Sequence, residues 1–449
     1  MTEVTVGIDI GTTSVKAIAA DGDGNVMARA RVPHPLIVPS ADRMEHDVDL
    51  AWRAGVVEAL AQVAPGLDVK AVNVAAMVPS LGAVRADGRA AGPGLLYGDE
   101  RGRVAGQTRS APGDSGELVA FLGWLAANCP DAAGFWPAQA AANHALCGRG
   151  AIDSTTAVTA HPLFDFVGWD RELAAAAGLD DTAKLPEVVS GVEPVGRVTG
   201  TDALLGGGTI DALGEQLVAG ADNDGDVLVI CGTTLITWAV MDEYLELPGG
   251  AWTIPHTAAG KSMFGGPSNA GGLFLNWARQ LAGEGGDDAA VDPGGVPVWL
   301  PYVRGERTPL NRSDLRARLC DLDLTHGPAH VRRAAYEAAA FVVRHHLDLG
   351  ASKVQPRRIV ATGGGVRVDA WVQALADGTG LPVDIAAVPE GGALGSAFVA
   401  RCVAGLERSM TDGSRWARTA RTVEPDARWV GPCSERYERF RSLTAELTA

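Results

Sequence analysis

The sequence contains no Cys-x-x-Cys pair; its six cysteines (Cys129, Cys147, Cys231, Cys320, Cys402 and Cys433) are scattered singly. That spacing excludes a zinc site of the usual pattern and a disulfide framework, so reduced thiols in a cytoplasmic protein are expected. A long apolar run is also missing. The longest, around 227–241, is broken by Gly-Thr-Thr and is too short to span a bilayer. No basic stretch followed by an apolar signal core precedes the first strand-like residues. Positive charge is scarce too: 38 Lys and Arg stand against 54 Asp and Glu, a formal net charge of −16. Such a surface argues against nucleic acid or an anionic membrane as partner. It still allows a phosphate-bearing ligand, because backbone N–H groups and a metal can hold one.

What is present is a globular composition, 47% hydrophobic and 20% charged, in a chain whose 449 residues exceed one ordinary core. The opening stretch VGIDIGTTSVKAIAAD (6–21) sets a carboxylate, Asp9, inside an apolar strand pattern just before a Gly-Thr-Thr turn. Almost half the chain later VLVICGTTLITWAVMD (227–242) aligns with it without a gap. Gly11, Thr12 and Thr13 meet Gly232, Thr233 and Thr234, while Asp9 meets Ile230. Coincidence between two apolar hairpins is the alternative, but the pattern predicts two related α/β domains, 1–222 and 223–449, divided at GADNDGD (220–226). Two turns rich in hydroxyl and N–H donors suit a polyphosphate, and the single carboxylate suits a Mg²⁺ ion bridging its oxygens.

Residues 71–78 and 358–365 read as buried strands, and 49–64 and 330–350 as helices, the second ending at Gly350 as a C-cap. In LLGGGTIDALGEQLVAG (204–220), Asp211 stands in a helical first turn behind three glycines. It can take a proton from an attacking hydroxyl, or simply cap its helix; local sequence supports both. Gly363, Gly364 and Gly365 would let backbone lie against a base or ribose, and 389–400 is a further Gly-rich helix start. Trp124, Trp136, Trp169 and Trp299 read as packing, His345 and His346 as partners of a helix C-terminus, and 427–443 as a solvated basic helix face.

Taken together, Asp-x-Gly-Thr-Thr, the Gly-x-x-Asp at Asp211, the second Gly-Thr-Thr, the stretch YVRGERTPLNRSDLRARLCDLDLTHG (302–327) and the Gly-Gly-Gly segment resemble the FGGY carbohydrate kinases, xylulokinase-like branch. The resemblance runs in order through nearly the whole chain. It implies two ribonuclease H-like (actin/hexokinase-type) α/β domains around a central cleft that takes ATP and Mg²⁺. It makes Asp9 the metal-proximal carboxylate and Asp211 the catalytic base. Gly11, Thr12, Thr13, Lys16, Gly232, Thr233 and Thr234 would line the phosphates. Gly271, Gly272 and Asn276 match a nucleotide-side segment, and Gly364, Gly365 and Asp369 the adenosine side.

The departures sit where such kinases read sugar hydroxyls. A Gln-Met-His stretch is replaced by Met77-Val78-Pro79. Leu-Trp-Asn-Asp-x-Arg becomes a version with Tyr97 and Gly98, keeping Asp99 and Arg101, and a polar pair becomes Gln139-Ala140. Val366-Arg367-Val368-Asp369 follows the glycines in place of Ala-Arg-Ser. The implied substrate contacts are therefore Met77, Val78, Tyr97, Asp99, Gln139 and Asp211. The expected activity is ATP-dependent phosphorylation of a ketose such as xylulose. The alternatives are a kinase of a polyol or deoxy sugar (glycerol or erythritol type), or a degenerate sugar- and nucleotide-binding sensor. Expected partners are a small sugar or polyol, no nucleic acid, no membrane, and at most a second copy of the chain.

Overall fold

Strand β1 (Thr2–Ile10) is followed by β2 (Ser14–Ala20) and β3 (Val26–Pro33), then β4 (Leu67–Ala76). Later in the same unit come helix α1 (Ala138–Cys147), strands β5 (Leu204–Gly206) and β6 (Thr209–Ile210), and helix α2 (Asp211–Ala219). β1 is central: it runs antiparallel to β2 and parallel to β4, and both β5 and β6 add in parallel to the far side of β4. Val4, Val6, Ile8 and Ile10 line one face and are fully buried, and Thr5, Gly7 and Asp9 on the other face are buried too, so the strand is covered on both faces. A second sheet, from Glu45–His46, Ala90–Leu96, Ser80–Val84 and Gly134–Trp136, carries its own core around Leu81, Phe121 and Leu163.

The second half repeats this plan. Strand β7 (Asp226–Cys231) pairs antiparallel with β8 (Leu235–Met241), which pairs with β9 (Ser262–Ser268). Helix α3 (Gly272–Ala282) and the long helix α4 (Pro328–Gly350) precede β10 (Arg358–Thr362), parallel to β7, and β11 (Val383–Ala386). In each half the first strand lies between its antiparallel hairpin partner and a later parallel strand. The repeat seen in sequence is thus a repeat of topology.

This computed structural model describes residues 1–40, 42–102, 117–244, 250–283, 285–286 and 288–448. The chain divides into one unit of Met1–Val218 with Glu390–Trp416 and another of Ala219–Pro389 with Ala417–Ala449. The return is made by helix α5 (Gly391–Val403), buried along its whole length, and a single cut between 222 and 223 does not contain it. α5 lies on β1 so closely that a Cβ on Gly7 would stand 1.9 Å from the Ala393 carbonyl oxygen. Helix α6 (Ala427–Thr448) closes the second unit.

Local expectations are corrected in four places. The helix expected over 49–64 begins as a π-helical stretch, Val48–Ala54, capped by the Asp47 side chain on the Leu50 N–H, and becomes α-helical only at Gly55–Val63. Gly350 is the last buried residue of α4, and the cap is Ala351 in right-handed conformation. His346 is no imidazolium at a helix end: burial pushes it down to about 4, with Nδ1 2.9 Å from the Val342 carbonyl. Arg436 on α6 is buried against Glu337, Nε to Oε2 at 2.7 Å, so that face is not wholly solvated.

Candidate functional site

In the first unit the site grows from the carboxyl end of β4, the place where open α/β sheets leave room for ligands. Asp9 on β1 is registered against Ala75 of β4, and Thr209 on β6 is registered against the same residue from the other side. Neighbouring strands are about 4.8 Å apart, so Asp9 and Thr209 stand about 10 Å apart, with Asp211 two residues further on. Asp211 opens α2, and its Oδ1 accepts the Ala212 N–H at 2.7 Å, where the helix dipole favours a carboxylate.

Asp9 is 5% exposed. Its Oδ2 faces Lys16 Nζ at 3.4 Å, and its Oδ1 is buried without a hydrogen-bond partner. Asp9 is the main influence holding the Lys16 ammonium above its usual range, with Glu215 and Glu390 adding to it against the cost of burial. The α5 N-terminus backs onto this carboxylate: a Cβ on Gly392 would come within 3.1 Å of Asp9 Cγ. α2 crosses α5 just as tightly, since a Cβ on Gly395 would fall 2.0 Å from the Gly214 carbonyl oxygen. The glycines of 389–400 therefore serve close packing of α5 on β1 and α2. An orphaned carboxylate oxygen suits Mg²⁺, which takes one or two carboxylates and completes its shell with water and phosphate. Among the described residues no group of three or more His, Cys, Asp or Glu forms a metal cage. Asp9 is the residue that fits the ion.

Three buried amides that sequence reading left unassigned, or assigned otherwise, hold the loop ahead of Asp211. Asn73 Oδ1 accepts the Gly208 N–H at 3.0 Å, Asn143 Nδ2 donates to the Gly207 carbonyl at 3.0 Å, and Gln139 Nε2 donates to the Thr209 carbonyl at 3.1 Å. Gly208 has φ +116°, a conformation that glycine supplies at little cost. The Gln139 amide nitrogen is thus engaged by backbone, the Ala76 and Thr209 carbonyls, while its Oε1 is buried with no hydrogen-bond partner. Asp99 is likewise spent inside the protein. Fully buried, it accepts from Arg101 Nε and Nη2 at 2.8 and 2.7 Å and from the Met44 N–H at 2.7 Å. Burial alone would raise its carboxyl, but these donors hold it below the usual carboxylate range. Met77 is buried, Val78 lines an apolar pocket, and Tyr97 OH lies 3.2 Å from Thr12 Oγ1.

The second unit gathers its own residues. The turn Gly232–Thr234 sits beneath the α3 N-terminus: Gly272 N–H donates to the Gly232 carbonyl at 2.8 Å and Leu273 N–H to the Thr233 carbonyl at 3.0 Å. Gly271 must lack a side chain, since its Cβ would meet the Thr234 carbonyl carbon at 2.3 Å. Gly363, with φ +88°, and Gly365 pack on Cys231 at the start of the same turn, whereas Gly364 is exposed with open space around it. Asn276 is exposed on α3, and Asp369 is exposed and ion-paired with Arg421.

Glu306, within the RGERTP segment, was not singled out from sequence. Fully enclosed, it accepts Ser268 Oγ at 2.8 Å and the Asn269 and Arg307 N–H groups at 2.9 and 2.7 Å, and burial pushes it up to about 7. It thereby fixes the bend between β9 and Gly271. The signal was a charged residue inside a short Gly- and Pro-bounded segment.

With the geometry in hand, comparison with known proteins is specific. The family model described as the FGGY family of carbohydrate kinases, N-terminal domain, matches residues 4–101, and its C-terminal counterpart matches 227–404. The chain is 26% identical to the Probable L-xylulose kinase of Pasteurella multocida, covering 99% of both chains. It is 27% identical to the Glycerol kinase of Renibacterium salmoninarum, covering 99% of this chain and 96% of that one. The crystal structure of gluconate kinase from Lactobacillus acidophilus superposes with TM-score 0.82 at 19% identity, over 100% of this chain and 99% of the other, a likeness of fold.

Proposed function

This chain belongs to the FGGY family of carbohydrate kinases and is a sugar kinase, and from that premise we propose that it transfers the terminal phosphoryl group of ATP to a hydroxyl of a small ketose of the xylulose kind. The observation that supports this reading is the register of Asp9 and Thr209 on one residue, Ala75, which brings Asp9 and the start of the helix carrying Asp211 to one strand end; to these two carboxylates we assign the metal and the proton. The hydroxyl oxygen forms the new O–P bond as the bond to the ADP oxygen breaks, and the hydroxyl proton passes to Asp211. Because the transition state is loose, Asp211 acts first by orienting the hydroxyl and only late by accepting its proton. In the first unit Thr12 and Thr13 would supply hydroxyl and N–H donors for phosphate; in the second, Thr233 and Thr234 offer donors of the same kind, and Gly364 has open space around it. Mg²⁺, held by Asp9, would neutralise charge on the phosphate oxygens.

Two relatives named for different acceptors, L-xylulose and glycerol, each match 99% of this chain, so the acceptor is the finer question. One observation favours a second reading, an acceptor with a deoxygenated end. Val78 and Pro79 line an apolar cavity of about 20 Å³ with Phe135, Ile152, Leu163 and Trp169, room for about one water molecule. Hydroxyls there would lose water without gaining a partner.

The test is an acceptor screen by ADP release over ketopentoses, ketohexoses, polyols and their deoxy analogues. One class is expected to stimulate turnover, and Asp211→Asn to lower kcat by roughly 10²- to 10⁴-fold with unchanged melting. ATP turnover indifferent to every acceptor, or to the loss of Asp211, contradicts the reading. A ketose preferred strongly over its terminal deoxy analogue contradicts the second.

A further inference from the structure

Behind the Gly11-Thr12-Thr13 turn lies a buried cluster that the kinase reading does not use: His34, His46 and Trp52. His46 Nε2 is 2.9 Å from the Thr12 carbonyl oxygen, and Trp52 Nε1 is 3.0 Å from His46 Nδ1. An indole N–H can only donate and a carbonyl can only accept. One form of the imidazole satisfies both: neutral, with its proton on Nε2. An imidazolium would set an N–H against the indole N–H. Burial agrees, pushing His46 down to about 4, and the titratable group facing it, His34, lowers it further. The His34 ring stands edge-on at 4.6 Å between centroids, and the His34 backbone N–H takes the Thr13 carbonyl at 3.0 Å.

The Thr12 and Thr13 carbonyls are therefore both engaged, one by the His46 ring and the other by the His34 backbone. In a planar trans peptide the C=O and N–H point in opposite directions. Tying back the Thr12 carbonyl sends the Thr13 N–H the other way, on a residue that is itself exposed. We propose that His46 is a positioning residue for phosphate binding: as the Nε2–H tautomer, locked by Trp52, it holds the Thr12–Thr13 peptide so that the Thr13 N–H faces the phosphoryl groups of the nucleotide. Trp52 is buried on the π-helical stretch Val48–Ala54, from which its indole reaches His46. This inference rests on the kinase reading.

The experiment measures Mg-ATP affinity by isothermal titration in the full-length wild type, His46→Gln and His46→Asn, with thermal melting alongside. Glutamine can place a donor near the position of Nε2; asparagine, one methylene shorter, can still accept from Trp52 but does not reach Thr12. His46→Gln is expected within about threefold of wild type and His46→Asn to bind roughly tenfold more weakly, the loss of one oriented N–H to a phosphate. A purely structural histidine would lower both melting temperatures and leave the affinity of the folded proteins alike. Equal affinities for the two variants overturn the inference. So does an imidazole ¹⁵N spectrum of the wild type showing His46 protonated on Nδ1, a readout that needs no variant to fold. A wild type that binds no nucleotide overturns the kinase reading itself, and this inference with it.

Discussion

The two hairpins share the Gly-Thr-Thr turn and the same place in the topology, yet they are buttressed by different devices. At Gly232–Thr234 the carbonyls are held by the first N–H groups of helix α3, with Glu306 steadying the bend that leads into it. At Gly11–Thr13 they are held by a histidine side chain and one backbone N–H from the strand end. The strands differ as well: buried Asp9 in one, buried Ile230 in the other. One topology thus carries two specialisations, Asp9 beside the turn of the first hairpin and Ile230 at the matching place in the second.

The largest expected effect comes from exchanging the residues that differ. Asp9→Ala should cut turnover by roughly 10²-fold or more while the protein still melts cooperatively. Ile230→Ala should do the reverse, costing about 2–4 kcal/mol of stability in a denaturant melt and leaving kcat of the folded enzyme near wild type. Similar losses of turnover from both would erase the distinction.

Next in size is the contact of α3 with the second turn. Gly271→Ala puts a methyl group 2.3 Å from backbone, so a marked fall in melting temperature and a raised KM for ATP are expected. Gly364→Ala, with nothing within 4 Å, should leave melting unchanged and alter only nucleotide affinity.

Smaller, but opposite in sign for the two hairpins, is the effect of pH on stability. His46 titrates near 4 when folded and near 6.5 when unfolded, so its contribution is complete above about 6.5 and is lost as pH falls toward 4, on the order of 3 kcal/mol at most. His346 behaves alike. Glu306 is raised to about 7 from 4.5, so stability falls as pH rises through that window. Urea melts across pH should show His46→Gln flattening the acid limb and Glu306→Gln flattening the change between about pH 5 and 7.

Sequence made the hairpins legible because apolar strands and a Gly-Thr-Thr turn are local signals, and Asp211 because glycines and a helix start surround it. The supports were not legible. His46 and Trp52 are linked only through a π-helical turn, and Asn73, Asn143 and Gln139 meet one loop from three distant elements. Asp99 reads as a substrate contact from its place in the family motif that keeps Asp99 and Arg101; that motif does not show that the carboxylate is buried and held by Arg101. The return of α5 to the first unit had a visible trace, the glycines of 389–400, which pack on β1 and on α2, elements far away in sequence.

The central claim, that the first hairpin alone supplies the charge for the metal–nucleotide complex, is tested most directly by titrating ATP into wild type and Asp9→Asn with and without Mg²⁺. The account predicts that Mg²⁺ strengthens ATP binding to the wild type and has little effect on Asp9→Asn. The same Mg²⁺ dependence in both proteins would contradict it.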